Sequence, residues 1–222
     1  MKKGDIVWTL VLAALIAILV VPTTHDVFMK FTTAHPYAGG FVKFSILATM
    51  GELLAIRIVA GGWIIPKGVI YRAAIWGFLG MAIVLIFDMF ASGVMAALSK
   101  GLLPGKGSKF AFAFFTSAIM NVTFAPTMMA FHRITDTFID SKYEGSSTNI
   151  GDVVRKIDWS GFVSFVILKT VPIFWIPAHT ITFLLPPEYR VLVAAMLSMA
   201  LGLILAFAKK KAQKTQLNEV TN

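Results

Sequence analysis

Glu52, Asp88 and Asn121 are polar side chains standing inside long apolar runs of this 222-residue chain. A carboxylate at the centre of a membrane helix costs at least about 2–3 kcal/mol on insertion scales unless it is solvated or paired. Glutamate and aspartate are too short to reach a headgroup from there. Each is therefore protonated, faces a cation, or lines a wet cavity. Counting 1.5 Å per residue from the outer ends of their runs puts Glu52 and Asn121 roughly 16 Å deep and Asp88 roughly 15 Å deep. A hydrocarbon core is about 30 Å thick, so this count predicts one shared mid-membrane layer. Ser45, Thr49 and Glu52 fall at i, i+4 and i+7, which makes a polar stripe on one helical face, as a pore lining would have. The chemistry these residues suggest is a polar conduit for small solutes or ions, tuned by Glu52 and Asp88. A hydrogen-bonded structural network in a packed bundle would use the same residues.

The stretch Trp159 to Arg190 adds Lys169, His179, Pro172 and Pro177 to an apolar background. Ionisable groups in a span face a bundle interior or a water-filled cavity. Prolines free backbone carbonyls that neighbours or water must satisfy. The stretch reads as a broken helix whose Lys169 and His179 set selectivity or pH response. By rise, Lys169 lies roughly 10 Å nearer the inner surface than Asp88. An imidazole changes charge near neutral pH, and a neutral His179 bonded inside the bundle is the structural alternative. Lys43 and Arg57 lie near the ends of their run, and snorkelling to the headgroups accounts for both.

These residues need elements to hold them. Hydrophobic residues make up 57% of the chain and charged residues 14%, against about 45–50% and 25% in soluble domains. The fold class expected is all-α: one integral membrane domain over 1–222, a bundle of about six transmembrane helices with a broken fifth. The spans expected are 6–21, 41–60, 73–98, 110–131, 161–185 and 189–208. Pro22 to Gly40 reads as a polar turn region, Gly61 to Arg72 and Ser99 to Lys109 as loops, and His132 to Asp158 as the longest polar stretch. In that stretch Asp152 is a candidate cap for a short surface helix. Lysines and arginines concentrate on the side of both termini, which predicts cytosolic termini and, by default, a plasma (inner) membrane. The net charge of +9 and the basic tail then reflect that bias and anionic lipid, with no nucleic acid. Ala194, Ser198, Gly202 and Ala206 form a four-residue ridge, either a homo-oligomer seam or packing within the bundle.

Cysteine is absent, which removes thiolate chemistry and disulfides. No His-Glu-x-x-His, Gly-x-Ser-x-Gly, Walker or dinucleotide pattern occurs. Neither a cofactor nor a metal is expected, and catalytic residues are not assigned. The C-terminal half resembles the peroxisomal membrane protein family that includes the small mitochondrial inner-membrane channel protein linked to mitochondrial DNA maintenance. The residues that carry the resemblance are Trp175, Pro177, His179, Thr182, Phe183, Pro186 or Pro187, Tyr189 and Arg190. A Phe-Ala-Pro motif at Phe124 to Pro126 and a Gly-Glu echo at Gly51 and Glu52 join them. His179 stands where that family has Gln, and Thr182 where it has Asn. The resemblance implies a small multispan membrane protein with channel-like activity and no assigned solute. Three further readings differ in what they require. A scaffold or assembly protein needs only a structural polar core. A lipid-modifying enzyme needs Glu52 and Asp88 together as acid and base or as metal ligands. A coupled transporter needs an inverted repeat, and no partner for the fifth span stands in the first half.

Overall fold

Pro22 and Pro36 each begin a helix, where a missing N–H costs no hydrogen bond. The computed structural model of the protein describes residues 2–220. The region expected as a polar turn is consequently helical: α1 spans Lys3–Val20, α2 Pro22–Ala34 and α3 Pro36–Ala60. Thr24 ties the α1–α2 joint by donating to the Val21 carbonyl at 3.0 Å. Then follow α4 (Val69–Ser99), α5 (Lys109–Glu144), α6 (Ile150–Lys156), α7 (Trp159–Leu184) and α8 (Pro187–Val220). The side chains of tail residues Lys211 and Lys214, and Thr221 and Asn222 entirely, lie outside the described residues.

The chain is an all-helical bundle, and among the described residues five helices, α1, α4, α5, α7 and α8, are long and apolar enough to cross a membrane. This is an integral membrane protein. The remaining long helix, α3, carries Lys43, Glu52 and Arg57 and packs between α4 and α8. Several helices overrun the spans expected from hydropathy, α5 and α8 by the most. Pro126 does not end α5, which continues through the polar stretch to Glu144. The short α6 is capped by Asn149, whose side chain accepts from Gly151 N. Asp152 sits instead in its first turn, where the Ser147 hydroxyl and Arg155 hold its carboxyl below the usual carboxylate range.

Glycines bring α3 and α4 together. A Cβ on Gly40 would lie 2.7 Å from the Gly80 carbonyl oxygen, and one on Gly80 would meet Gly40 and Phe44 in turn. Backbone cannot yield there as a side-chain tip can. Gly80→Val should therefore force the helices apart and cost about 1–3 kcal/mol, as overpacking does. Gly93, on the same helix, has open space around it. Thermal unfolding in detergent should show a lowered midpoint for Gly80→Val and none for Gly93→Ala. Equal midpoints for the two would contradict the close approach.

The expected break in the fifth span takes the form of a change of winding. From Phe162 to Trp175, α7 is wound with wide i→i+5 hydrogen bonds, and from Ile176 it is an ordinary α-helix. Ile176 N–H reaches back to the Val171 carbonyl, past Pro172, which has no N–H to give. The helical course continues through the junction.

The ridge on α8 faces inward. Ala194 and Ala206 are buried, Ser198 and Gly202 line the interior cavity, and α8 packs closely on α3 where a Cβ on Gly51 would lie 2.8 Å from Met199 Cα. Neither Lys43 nor Arg57 is an isolated snorkelling cation. Lys43 is 8% exposed and lies 4.9 Å over the Phe28 ring. Arg57 Nε donates to Asp5 at 3.0 Å, and Trp63 Nε1 donates to the same carboxylate at 2.8 Å. With Trp8 Nε1 donating to the Met50 carbonyl at 3.1 Å, these contacts tie α1 to the α3 side of the bundle. No α1 residue is fully buried, and Leu15 and Leu19 of this helix pack on the core, which leaves most of its apolar surface for lipid.

Candidate functional site

Helices α3, α4, α5, α7 and α8 line a partly open cavity of about 300 Å³. Its body is apolar, walled by Phe44, Ile83, Phe87, Met120, Phe124 and Met128. Polar groups gather at its two ends. Asn121 and His179 mark one, and Glu52, His132 and Asp136 mark the other. Along α5 the step from Asn121 to Asp136 is roughly 22 Å at 1.5 Å per residue.

Arg72 organises the acidic end. It stands three residues into α4, is 6% exposed, and pairs with Asp136 at 2.8 Å and Asp140 at 2.5 Å. Glu52 lies farther off, 3.9 Å from Arg72 Nη1. His132 Nδ1 is 3.8 Å from the second oxygen of Asp136, and its ring lies 4.2 Å from that of Trp76. Sequence reasoning put Arg72 in a loop and left His132, Asp136 and Asp140 without a role. Their i, i+4, i+8 spacing was the available signal, since it puts all three on one helical face. That face exists only because α5 runs on to Glu144.

The other end is built on Ser117, Asn121 and His179. Asn121 is 1% exposed, and its amide nitrogen donates to the Ser117 carbonyl at 2.9 Å and lies 3.0 Å from His179 Nδ1. Ser117 Oγ donates to the Ile176 carbonyl at 2.7 Å, at the point where α7 changes winding. The His179 ring stacks on Trp175 at 5.1 Å and meets the edge of Phe87 at 5.6 Å. With Nδ1 engaged by Asn121, Nε2 has no hydrogen-bond partner among the described residues.

A second cavity, of about 320 Å³, lies on the far side of Phe87 and contains Thr32, Lys43, Asp88, Glu188 and Arg190. Phe87 lines both cavities, is 6% exposed, and rests on Phe183 with ring centroids 5.0 Å apart. Thr32 and Thr33, near the end of α2, form part of the wall, so this short helix borders the second cavity. Arg190 Nε donates to the Leu185 carbonyl at 3.0 Å and so closes the end of α7.

Several expected lining residues stand elsewhere. Asp88 is exposed and belongs to the second cavity, so it does not share a layer or a site with Glu52. The acid–base pairing that a lipid-modifying enzyme would need is therefore not formed by those two carboxylates. Ser45 donates to the Ala73 carbonyl at 2.9 Å in the α3–α4 contact. Thr49 Oγ1 is buried without a partner and does not line the cavity. The cavity face of α3 is Phe44, Ala48, Gly51 and Glu52. Lys169 is exposed on α7, away from both cavities. Of the residues carrying the resemblance, Phe124 and Trp175 line the first cavity and Phe183 supports Phe87. Pro177 opens the α-wound part of α7, Pro126 stays within α5, and Pro186 is in the α7–α8 turn.

Comparison with protein-family models, with curated proteins and with solved structures finds no match in any of the three.

Proposed function

We propose that this protein is a small-solute pathway across a membrane, with its two cavities as successive stations and Phe87 as the wall between them. The observation that carries this reading is that one buried aromatic side chain lines both spaces. Hydrophobic constrictions close a path by excluding water and polar solute, and side-chain movement opens them. The apolar body of the first cavity favours a small organic molecule over a hydrated ion. The membrane is the plasma (inner) membrane with both termini cytosolic, on the lysine and arginine bias and with α3, packed between α4 and α8, as a sixth crossing helix. In that orientation the Arg72 end is cytosolic and the Lys43–Asp88 cavity is external. The resemblance to the peroxisomal membrane protein family agrees with channel-like activity, and its aromatic positions Phe124, Trp175 and Phe183 lie around this path.

The test is release of small organic solutes, cationic, neutral and anionic, from proteoliposomes. Release of at least one class above protein-free vesicles is the expected result. Background release of all three by folded, inserted protein would end the proposal. A scaffold role would then take its place, since the Arg72 ion-pair cluster also suits a purely structural core.

A further inference from the structure

We infer that the first cavity selects an ammonium carried on a slender apolar chain, with Glu52 as its charge partner. The inference rests on the reading of that cavity as a solute station. Three carboxylates, Glu52, Asp136 and Asp140, stand within 4 Å of one guanidinium, that of Arg72. The short contacts go to Asp136 and Asp140. Glu52 is left at 3.9 Å and makes no hydrogen bond among the described residues. It lines the cavity and is about a quarter exposed, with a side-chain accessibility of 28%. A carboxylate lacking a close partner in an apolar setting gains most from a cation delivered to it. Trp76, packed between Phe44 and His132, lines the same cavity as Glu52.

The rest of the cavity sets the ligand's shape. Its walls are aromatic and thioether side chains, which suit a hydrocarbon chain. A volume of about 300 Å³ drawn out between Asp136 and Asn121 is narrow, and a two-chain lipid is several times too large. At the far end His179 is 8% exposed, lines the cavity, and keeps Nε2 without a protein partner. This is a second polar group directed at a ligand, independent of the acidic cluster.

Octylamine, octanol and octanoate are matched probes, and Trp76 and Trp175 in the wall report occupancy by fluorescence in nanodiscs. Octylamine should bind roughly tenfold or more tightly than octanol, the usual scale of one charge-assisted contact, with octanoate weakest. Glu52→Gln should abolish the preference for the amine. It leaves Arg72 its two short partners, so the fold is kept. Glu144→Gln, at the exposed end of α5 and lining neither cavity, should leave the preference intact. Equal binding of amine and alcohol to wild-type protein overturns the inference, as does a preference that survives Glu52→Gln. Binding of none of the probes overturns it too, while solute release from vesicles would still stand. Selective amine binding without release has the opposite meaning: the ligand is right and the pathway is wrong.

Discussion

Replacing Phe87 with alanine should join the two cavities and raise solute release from proteoliposomes by about tenfold or more, which is the effect of lowering a barrier by about 1.4 kcal/mol. The aromatic ring is the shared wall of spaces of about 300 and 320 Å³. It is held by Phe183 and by the edge of His179. Truncation removes that wall and leaves these supports in place. The same truncation removes a buried aromatic, at a stability cost of about 3–5 kcal/mol. Release must therefore be normalised to folded protein. Phe87→Trp, which fills the space, should lower release below wild type. Equal rates for the alanine, tryptophan and wild-type proteins would show that Phe87 separates nothing.

Replacing Arg72 with methionine should destabilise the fold strongly, through charge rather than volume. Removing one partner of a buried ion pair leaves uncompensated charge and costs about 3–5 kcal/mol. Exposure of the partners decides where in that range the effect falls. Asp140 is 60% exposed and can be rehydrated, so its pair contributes little, whereas Asp136 and Glu52 are 22% and 28% exposed. The expected loss is therefore near the lower end, about 3 kcal/mol. Arg72→Met combined with Asp136→Asn should recover part of it, because a neutral amide needs no counter-charge. The check is the unfolding midpoint in detergent for the single and double variants. A single variant as stable as wild type would mean that the cluster is solvated and holds nothing together.

The helical membrane class was legible because composition and apolar run length depend on the solvent, not on the fold. Glu52, Asn121 and His179 were legible as cavity residues because a polar group in an apolar helix has few other places to go. The shared layer was not legible. Depth was counted from the ends of apolar runs, and α5 extends to Glu144, past where its apolar run ends. Between α3 and α4 the register is set by the contact of Gly40 with Gly80, and it leaves Asp88 at a different cavity from Glu52. Polarity misled in the opposite sense. The polar residues from Pro22 to Gly40 suggested a turn region, but Pro22 and Pro36 each begin a helix, where the missing N–H has no intrahelical partner to lose.

By itself, the sequence determined a lipid-embedded helical chain, the polar residues that lipid cannot accept, and the close-packing residues. Each of these follows from one residue and its immediate neighbours. Only the tertiary structure decided which of them meet. Arg72 joins Glu52 to Asp136 and Asp140 across three helices, and Phe87 borders two cavities. Lys169, with equal claim from composition, is left on the outside. The reason is geometric. A helix presents a face every 3.6 residues, and which face turns inward is set by close contacts such as Gly40 on Gly80 and Gly51 on Met199. Those contacts lie between segments distant in the chain, where hydropathy carries no information.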